Sequence, residues 1–461
     1  MKKIRFLIAM LAAKVSILGL RIFGRNASFL PGLIALTIDK DFIGHLTKPE
    51  TVIAVTGTNG KTTVSNLITS ILTANGYHVT NNSIGSNVQA GIATILLQNS
   101  SLGGKPKNDI AVLEVDERSS LRIYPYIAPD YLVCNNIMRD SLKRNAHTEF
   151  ISFIINEALP ETTTLVLNGD DVICSTLGPK NKSRVYFGVE ADKPQSAINA
   201  YVQDIVYCPK CGGNLESEYL RYNHIGRMRC KDCDFASPAP DFVVKDIDRE
   251  NNTFTVSHNG TDETYHLIND NIVNVYNFCG AIALLHTFGL SYEQIAKGFD
   301  SSKIVKTRYD HFTSGDLTIT MQLAKGQNPI ACARCYSYVA GCPGDNKTLI
   351  IMVDDKGDNS GNSESTCWLY DCDYSYLTDD SISQIIFAGP RCKDHLLRAL
   401  IAGVDKEKVF MTESFVGGTD LVNTAISKDI YVLYDPYSLN EANTVKNKLI
   451  AMGTEAVRND C

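Results

Sequence analysis

Between Val52 and Asn66 the chain reads VIAVTGTNGKTTVSN. Gly57 and Gly60 allow a tight turn to close on an anion, Lys61 adds a point charge, and Thr62 and Thr63 stand where a helix would begin. Such a turn holds phosphate with backbone N–H groups, and a Thr hydroxyl beside it is a ligand for Mg²⁺. Gly57, Thr58, Asn59, Gly60, Lys61, Thr62 and Thr63 are therefore the expected nucleotide contacts. Val55 holds the place of the first glycine of the general Walker pattern, so the two glycines here are more closely spaced.

The neighbouring carboxylates follow a second apolar run, Ile110 to Leu113, which ends in EVDERSS. Glu114 or Glu117 would share Mg²⁺ with Thr62, and such a cation offsets charge in phosphoryl transfer. Two more runs behave alike: Tyr131 to Cys134 ends in NNIMRD, and Thr164 to Leu167 in NGDD. Between the first two, Val64, Leu67, Ile68, Ile71 and Leu72 recur at helical spacing. Strands that end in polar residues and alternate with helices predict an α/β fold with a parallel sheet, its chemistry at the carboxyl ends of the strands.

A different chemistry lies in Cys208, Cys211, Cys230 and Cys233, two C-x-x-C pairs separated by 18 residues. That spacing predicts a four-thiolate zinc ribbon at about 201–241. Since protein would fill all four tetrahedral positions, the Zn²⁺ would be structural. Cys332 and Cys335 with Cys342, Cys367 and Cys372 are irregularly spaced, and the first two suit one helical face; buried free thiols are the expectation there. The nine histidines suggest no ligand cluster, and His147 and His224 read as ordinary polar or capping residues.

After the cysteines, Phe242 to His258 and Asp262 to Ile268 read as paired strands. A helix beginning near Asn271 carries Asn274 and Asn277 on one face, and Lys303 to Phe312 reads as a linker. The apolar runs Leu349 to Val353, Gln384 to Ala388 and Ile430 to Leu433 predict a smaller C-terminal α/β domain. A net charge of -7, with 44 basic against 51 acidic residues, argues against nucleic acid as a partner. Fourteen cysteines in 461 residues are too sparse for a secreted disulfide scaffold, which favours the cytoplasm. The first residues, MKKIRFLIAM, imitate a signal peptide, but Lys14, Arg21 and Arg25 break the apolar run too early for a membrane span. Two readings remain for this basic, apolar helix: it rests on an anionic membrane surface at the inner face, or, as the plain alternative, it packs on the next domain.

VTGTNGKTT, EVDE, NNIMRD, NVYNFCGAIAL and TRYDHF occur in an order and spacing that resemble the Mur ligases. The cysteine ribbon and KGQNP, from Lys325, resemble the branch of that family that amidates a lipid-linked precursor with help from a GatD-type glutaminase partner. The resemblance implies an N-terminal helical segment at 1–48, a central ATPase domain at 49–305 holding the ribbon, and a C-terminal domain at 306–461. It further implies ATP as cofactor, Asn277 at the adenine and Arg308 at the γ-phosphate. In that branch an Asp preceding a Trp completes the triad of the glutaminase. Counting back from Trp368, Ser365 takes its place, and Ser cannot carry the negative charge that orients an imidazole. Glu364 or Asp358 are the nearest substitutes. The alternatives are a Mur-type ligase using an amino acid or free ammonia, and a nucleotide-binding regulator that meets nucleic acid through its ribbon.

Overall fold

The computed structural model describes residues 2–83, 86–140, 147–193, 204–301, 309–324, 326, 328–353 and 366–459. Arg308, Lys325, Asp358, Glu364 and Ser365 lie outside them. The chain divides into two compact units, Met1–Met138 with His147–Ile304, and Arg139–Ala146 with Val305–Cys461.

In the first unit, β1 (Thr51–Thr56), β2 (Val79–Asn81), β3 (Ile110–Glu114), β4 (Tyr131–Cys134), β5 (Thr164–Asn168) and β6 (Arg184–Val189) lie parallel in the order β6-β5-β4-β1-β3-β2. Both faces are covered, so these strands are continuous apolar runs. Strand order reverses around β1, whose neighbours are β3 and β4. The carboxyl ends at such a switch point form the natural crevice of an open α/β sheet. Three helices lead into β1: α1 (Lys2–Ile22), α2 (Leu30–Ile38) and α3 (Phe42–His45). Phe6, Ala9, Met10, Ala13 and Ile17 of α1 join the core beneath the sheet.

The sheet continues beyond β6 with β9 (Phe242–Asp248), parallel to it, then β10 (Thr253–His258) and β11 (Thr261–His266), antiparallel. The stretch from Phe242 to His258, expected as one strand, is thus a hairpin. Asn252 turns it with φ +53, a left-handed conformation that Asn tolerates and that periodicity alone does not reveal.

Between β6 and β9 sits the four-cysteine insertion, whose hairpin is β7 (Leu215–Tyr222) and β8 (Ile225–Cys230). It is bound firmly to the sheet. Arg221 donates to the carbonyls of Val189 and Ala191, and Gly226 N donates to Asp170 O at 2.7 Å. At the hairpin turn His224 is buried, with Nε2 3.2 Å from Asp171 Oδ1 and Nδ1 3.5 Å from Asp204 Oδ2.

The second unit has a six-stranded sheet built from β12 (Tyr309–Ser314), β13 (Leu317–Leu323), β14 (Lys347–Met352), β15 (Ile382–Ala388), β16 (Val409–Thr412) and β17 (Asp429–Tyr434), in the order β12-β13-β17-β14-β15-β16. Tyr309 to Phe312, read as linker, belongs to edge strand β12, which pairs antiparallel with β13 through a turn at Gly315. Its pairing comes from that partner, which a strand of mixed polarity does not announce by itself. Cys332 and Cys335 sit on the helix Pro329–Gly341 and are buried in the core with Cys372, while Cys367 is exposed.

Burial alone would depress the His224 pKa, but Asp171 and Asp204 reverse this and raise it to about 10. The unfolded value is roughly 6.5. The charged ring therefore contributes in full below the unfolded value, and the contribution fades as pH rises toward about 10. His224→Ala would remove the cation that faces two buried carboxylates and cost about 3–5 kcal/mol in urea unfolding at neutral pH. Against His224→Gln, the wild type should lose its stability advantage steadily between neutrality and pH 10.

Candidate active site

The turn after β1 needs glycine twice. Gly57 has φ +118, and a Cβ there would lie 2.8 Å from Asn136 O. Gly60 has φ +88, and its Cβ would fall 2.1 Å from Asn277 Oδ1. Helix α4 (Lys61–Ala74) starts immediately afterwards and buries Val64, Leu67, Ile68, Ile71 and Leu72, the positions expected from spacing. Its first N–H groups point out of the helix without intrahelical acceptors, as at every helix start.

The segment after β4 holds the turn in place. Thr58 N donates to Asn136 O at 2.8 Å, and Asn59 N donates to Asn136 Oδ1 at 2.9 Å. Asn136 Nδ2 donates back to Asn59 O at 3.0 Å, while the Thr58 hydroxyl donates to Met138 O and accepts from Met138 N. One residue earlier, Asn135 Nδ2 donates to Asn277 Oδ1 at 2.9 Å, and Asn277 Nδ2 donates to Asn274 Oδ1. Asn277 lies on the buried helix Ile272–Phe288 and thus backs the turn directly. Asn135, Asn136 and Met138 were visible in the sequence only as the polar end of a strand. Their role depends on β4 lying next to β1, which local pattern does not encode.

Lys61 and the carboxylates meet as their types suggested. Lys61 Nζ lies 3.1 Å from Glu117 Oε1, and it also donates to the carbonyls of Gly57 and Thr58. Burial lowers the lysine pKa, but Glu117, then Glu114 and Asp116, outweigh it and hold the value above normal. Thr62 Oγ1 donates to Glu114 Oε2 at 2.8 Å. Glu114 is itself fixed: Asn87 Nδ2 donates to its Oε1 at 3.0 Å, and Asn82 bonds both its N–H and its carbonyl. A hydroxyl and a carboxylate oxygen in contact at a helix start make a hard-oxygen donor pair suited to Mg²⁺.

Away from this crevice, the four cysteine sulfurs lie within 4.8 Å of one another, with Cys208 to Cys233 at 3.7 Å and Cys211 to Cys230 at 3.5 Å. The N–H groups of Lys210, Gly213 and Asp232 donate to Cys208, Cys211 and Cys230. Sequence spacing missed a further cluster: His258 and His286 both reach Glu263, at 3.1 and 2.9 Å, joining β10, β11 and the helix Ile272–Phe288. His147 merely precedes the helix Thr148–Ala158.

A family model for the Mur ligase middle domain matches residues 55–219, and one for the MurT ligase C-terminal domain matches 325–438. The fold resembles a pseudomurein peptide ligase type C from Methanothermus fervidus, at TM-score 0.67 and 21% identity, covering 89% of this chain and 81% of that one. It also resembles a MurF ligase from Thermotoga maritima solved in complex with ADP, at TM-score 0.59 and 15% identity, covering 92% and 84%. The solved structures show the fold, and the two family models with the near full-length relatives below define a Mur-type ligase, an ATP-dependent enzyme class. Among curated relatives, the lipid II isoglutaminyl synthase (glutamine-hydrolyzing) subunit MurT of Streptococcus pneumoniae (strain ATCC BAA-255 / R6) is 30% identical over 92% of this chain and 93% of its own. The same subunit of Staphylococcus aureus (strain COL) is 31% identical over 86% and 87%. The chain belongs to the MurT family.

Gly60→Ala should lower stability by about 2–4 kcal/mol, combining left-handed strain with overpacking against Asn277. Asn277→Ala in the same chain should return the overpacking part, so the two changes will be non-additive in thermal unfolding.

Proposed function

We propose that this chain is the ligase subunit of an enzyme that amidates the α-carboxylate of D-glutamate in lipid II. The observation that carries the reading is near full-length similarity to MurT subunits, supported by a turn, lysine and carboxylate pair suited to a nucleoside triphosphate. Gly57, Thr58, Asn59, Gly60, Lys61, Thr62 and Thr63 would hold the phosphates, with Asn277 toward the adenine and Arg308 toward the γ-phosphate. Thr62 and Glu114 would hold Mg²⁺, which would supply charge neutralisation to the phosphoryl oxygens. Glu117 orients Lys61 and keeps it charged.

The substrate carboxylate attacks the γ-phosphorus of ATP, and ADP leaves. Ammonia then attacks the acyl carbon, phosphate departs, and the nitrogen loses a proton to give the amide. Lys61 balances the charge that moves onto the β,γ-bridging oxygen. The ammonia would come from a GatD-type glutaminase. A second reading has its own observation: Ser365 at the position of the triad Asp favours direct use of ammonium without that partner.

The cysteine cluster fits structural Zn²⁺. Four thiolates at about 2.3 Å around one ion sit about 3.8 Å apart, close to the separations here, and the N–H donors to sulfur suit bound thiolates.

Purified chain with ATP and a lipid II analogue, supplied with ammonium or with glutamine plus glutaminase, should release phosphate and yield the amidated analogue by mass spectrometry. Turnover with amino acids alone would defeat the amidation reading; ammonium turnover with no response to glutaminase and glutamine would select the second. Lys61→Ala should abolish phosphate release and leave zinc near one per chain, read by atomic absorption.

A further inference from the structure

We infer that the outward face of α1 is a docking surface for an anionic lipid bilayer, a surface independent of the ligase reading above. Ile4, Leu7, Leu11, Val15, Leu18 and Ile22 recur at three- and four-residue intervals and so form one stripe along the helix. Each is 46% to 74% exposed. The opposite face is already used, because Phe6, Ala9, Met10, Ala13 and Ile17 are buried in the core of the first unit. An apolar stripe of this length is therefore presented on a helix that cannot turn over to hide it.

Charge selects the occupant. The first 38 residues contain six Lys or Arg and no Asp or Glu. Exposed Lys3 and Arg21 each stand one residue, about 100° of helix, from a stripe position, which puts cations along its margin. Two copies of α1 packed stripe to stripe would bring these margins together with no acidic residue on either helix to offset them. A negatively charged lipid surface offsets them directly, and its acyl boundary takes up the stripe. None of the described helices is long and apolar enough to cross a membrane. A helix lying in the plane of the interface uses both faces of α1 as found.

The full chain, without ATP, should co-sediment with vesicles containing phosphatidylglycerol and much less with phosphatidylcholine alone. Leu11→Asp with Val15→Asp should weaken that binding by about tenfold or more, since both side chains point away from the core and charge within the stripe opposes insertion. The chain has a single, buried Trp368, so Leu18→Trp gives a surface reporter whose emission should shift to the blue on anionic vesicles even if the double variant misfolds. Failure of wild type to bind phosphatidylglycerol vesicles would overturn the inference. So would equal binding to neutral vesicles, or a wild-type dimer in sedimentation equilibrium that the two Asp substitutions dissociate.

Discussion

The first unit depends on one constraint: the turn after β1 must hold two left-handed glycines while its neighbouring N–H and C=O groups are satisfied. The strand beside it supplies the partners, through Asn136 and Met138, and Asn277 closes the back of Gly60. Each such bond contributes only about 1 kcal/mol net, yet an unpaired buried amide would cost as much or more. Together they fix the turn, so that a ligand bound there would meet a preorganised loop. The local charge then sets a condition on the ligand. Lys61 faces Glu114, Asp116 and Glu117, so the carboxylates outnumber the cation that a triphosphate would meet. In the ligase reading proposed above, a divalent ion between phosphate and carboxylate would offset that repulsion, and the contact between Thr62 Oγ1 and Glu114 Oε2 supplies a pair of oxygens suited to it.

The cysteine insertion joins the same framework. Strands β6 and β9 are parallel neighbours, so the chain must cross over between them, a task usually given to a helix. Among the described residues of this crossover, the compact unit is the β7–β8 hairpin. His224 at its tip binds Asp171, whose other oxygen accepts from Ile137 N at 2.8 Å, inside the segment that clamps the turn after β1. Three contacts thus lead from the hairpin to the loop. The hairpin, a two-stranded sheet of its own, braces the clamp from behind.

Much of this was legible because it is local. The apolar runs at β1, β3, β4 and β5, the helical spacing after Lys61, and the paired cysteines each state their geometry within a few residues. What stayed hidden depends on which strand lies beside which. The Asn135 to Met138 clamp needs β4 next to β1; the His224 ion pair needs a hairpin folded back on the loop after β5; the His258 and His286 pair needs a strand set against a helix far along the chain. The hairpin at Asn252 failed for another reason, since a single left-handed Asn reverses the chain without changing its apolar pattern.

Lys347 and Arg398 are buried in the second unit. Lys347 is fully buried and donates to Val339 O and Ala340 O, carbonyls at the end of the helix Pro329–Gly341, and to the Ser381 hydroxyl. Arg398 donates to Leu369 O and Cys372 O at 3.0 Å and lies over the Tyr374 ring. Both cations are thus spent on backbone carbonyls, where a positive charge meets the negative end of a helix or an otherwise unpaired oxygen. The work of these two residues is to hold the sheet and its helices together, while Lys61, Glu114, Asp116 and Glu117 gather at the carboxyl ends of β1 and β3 in the first unit.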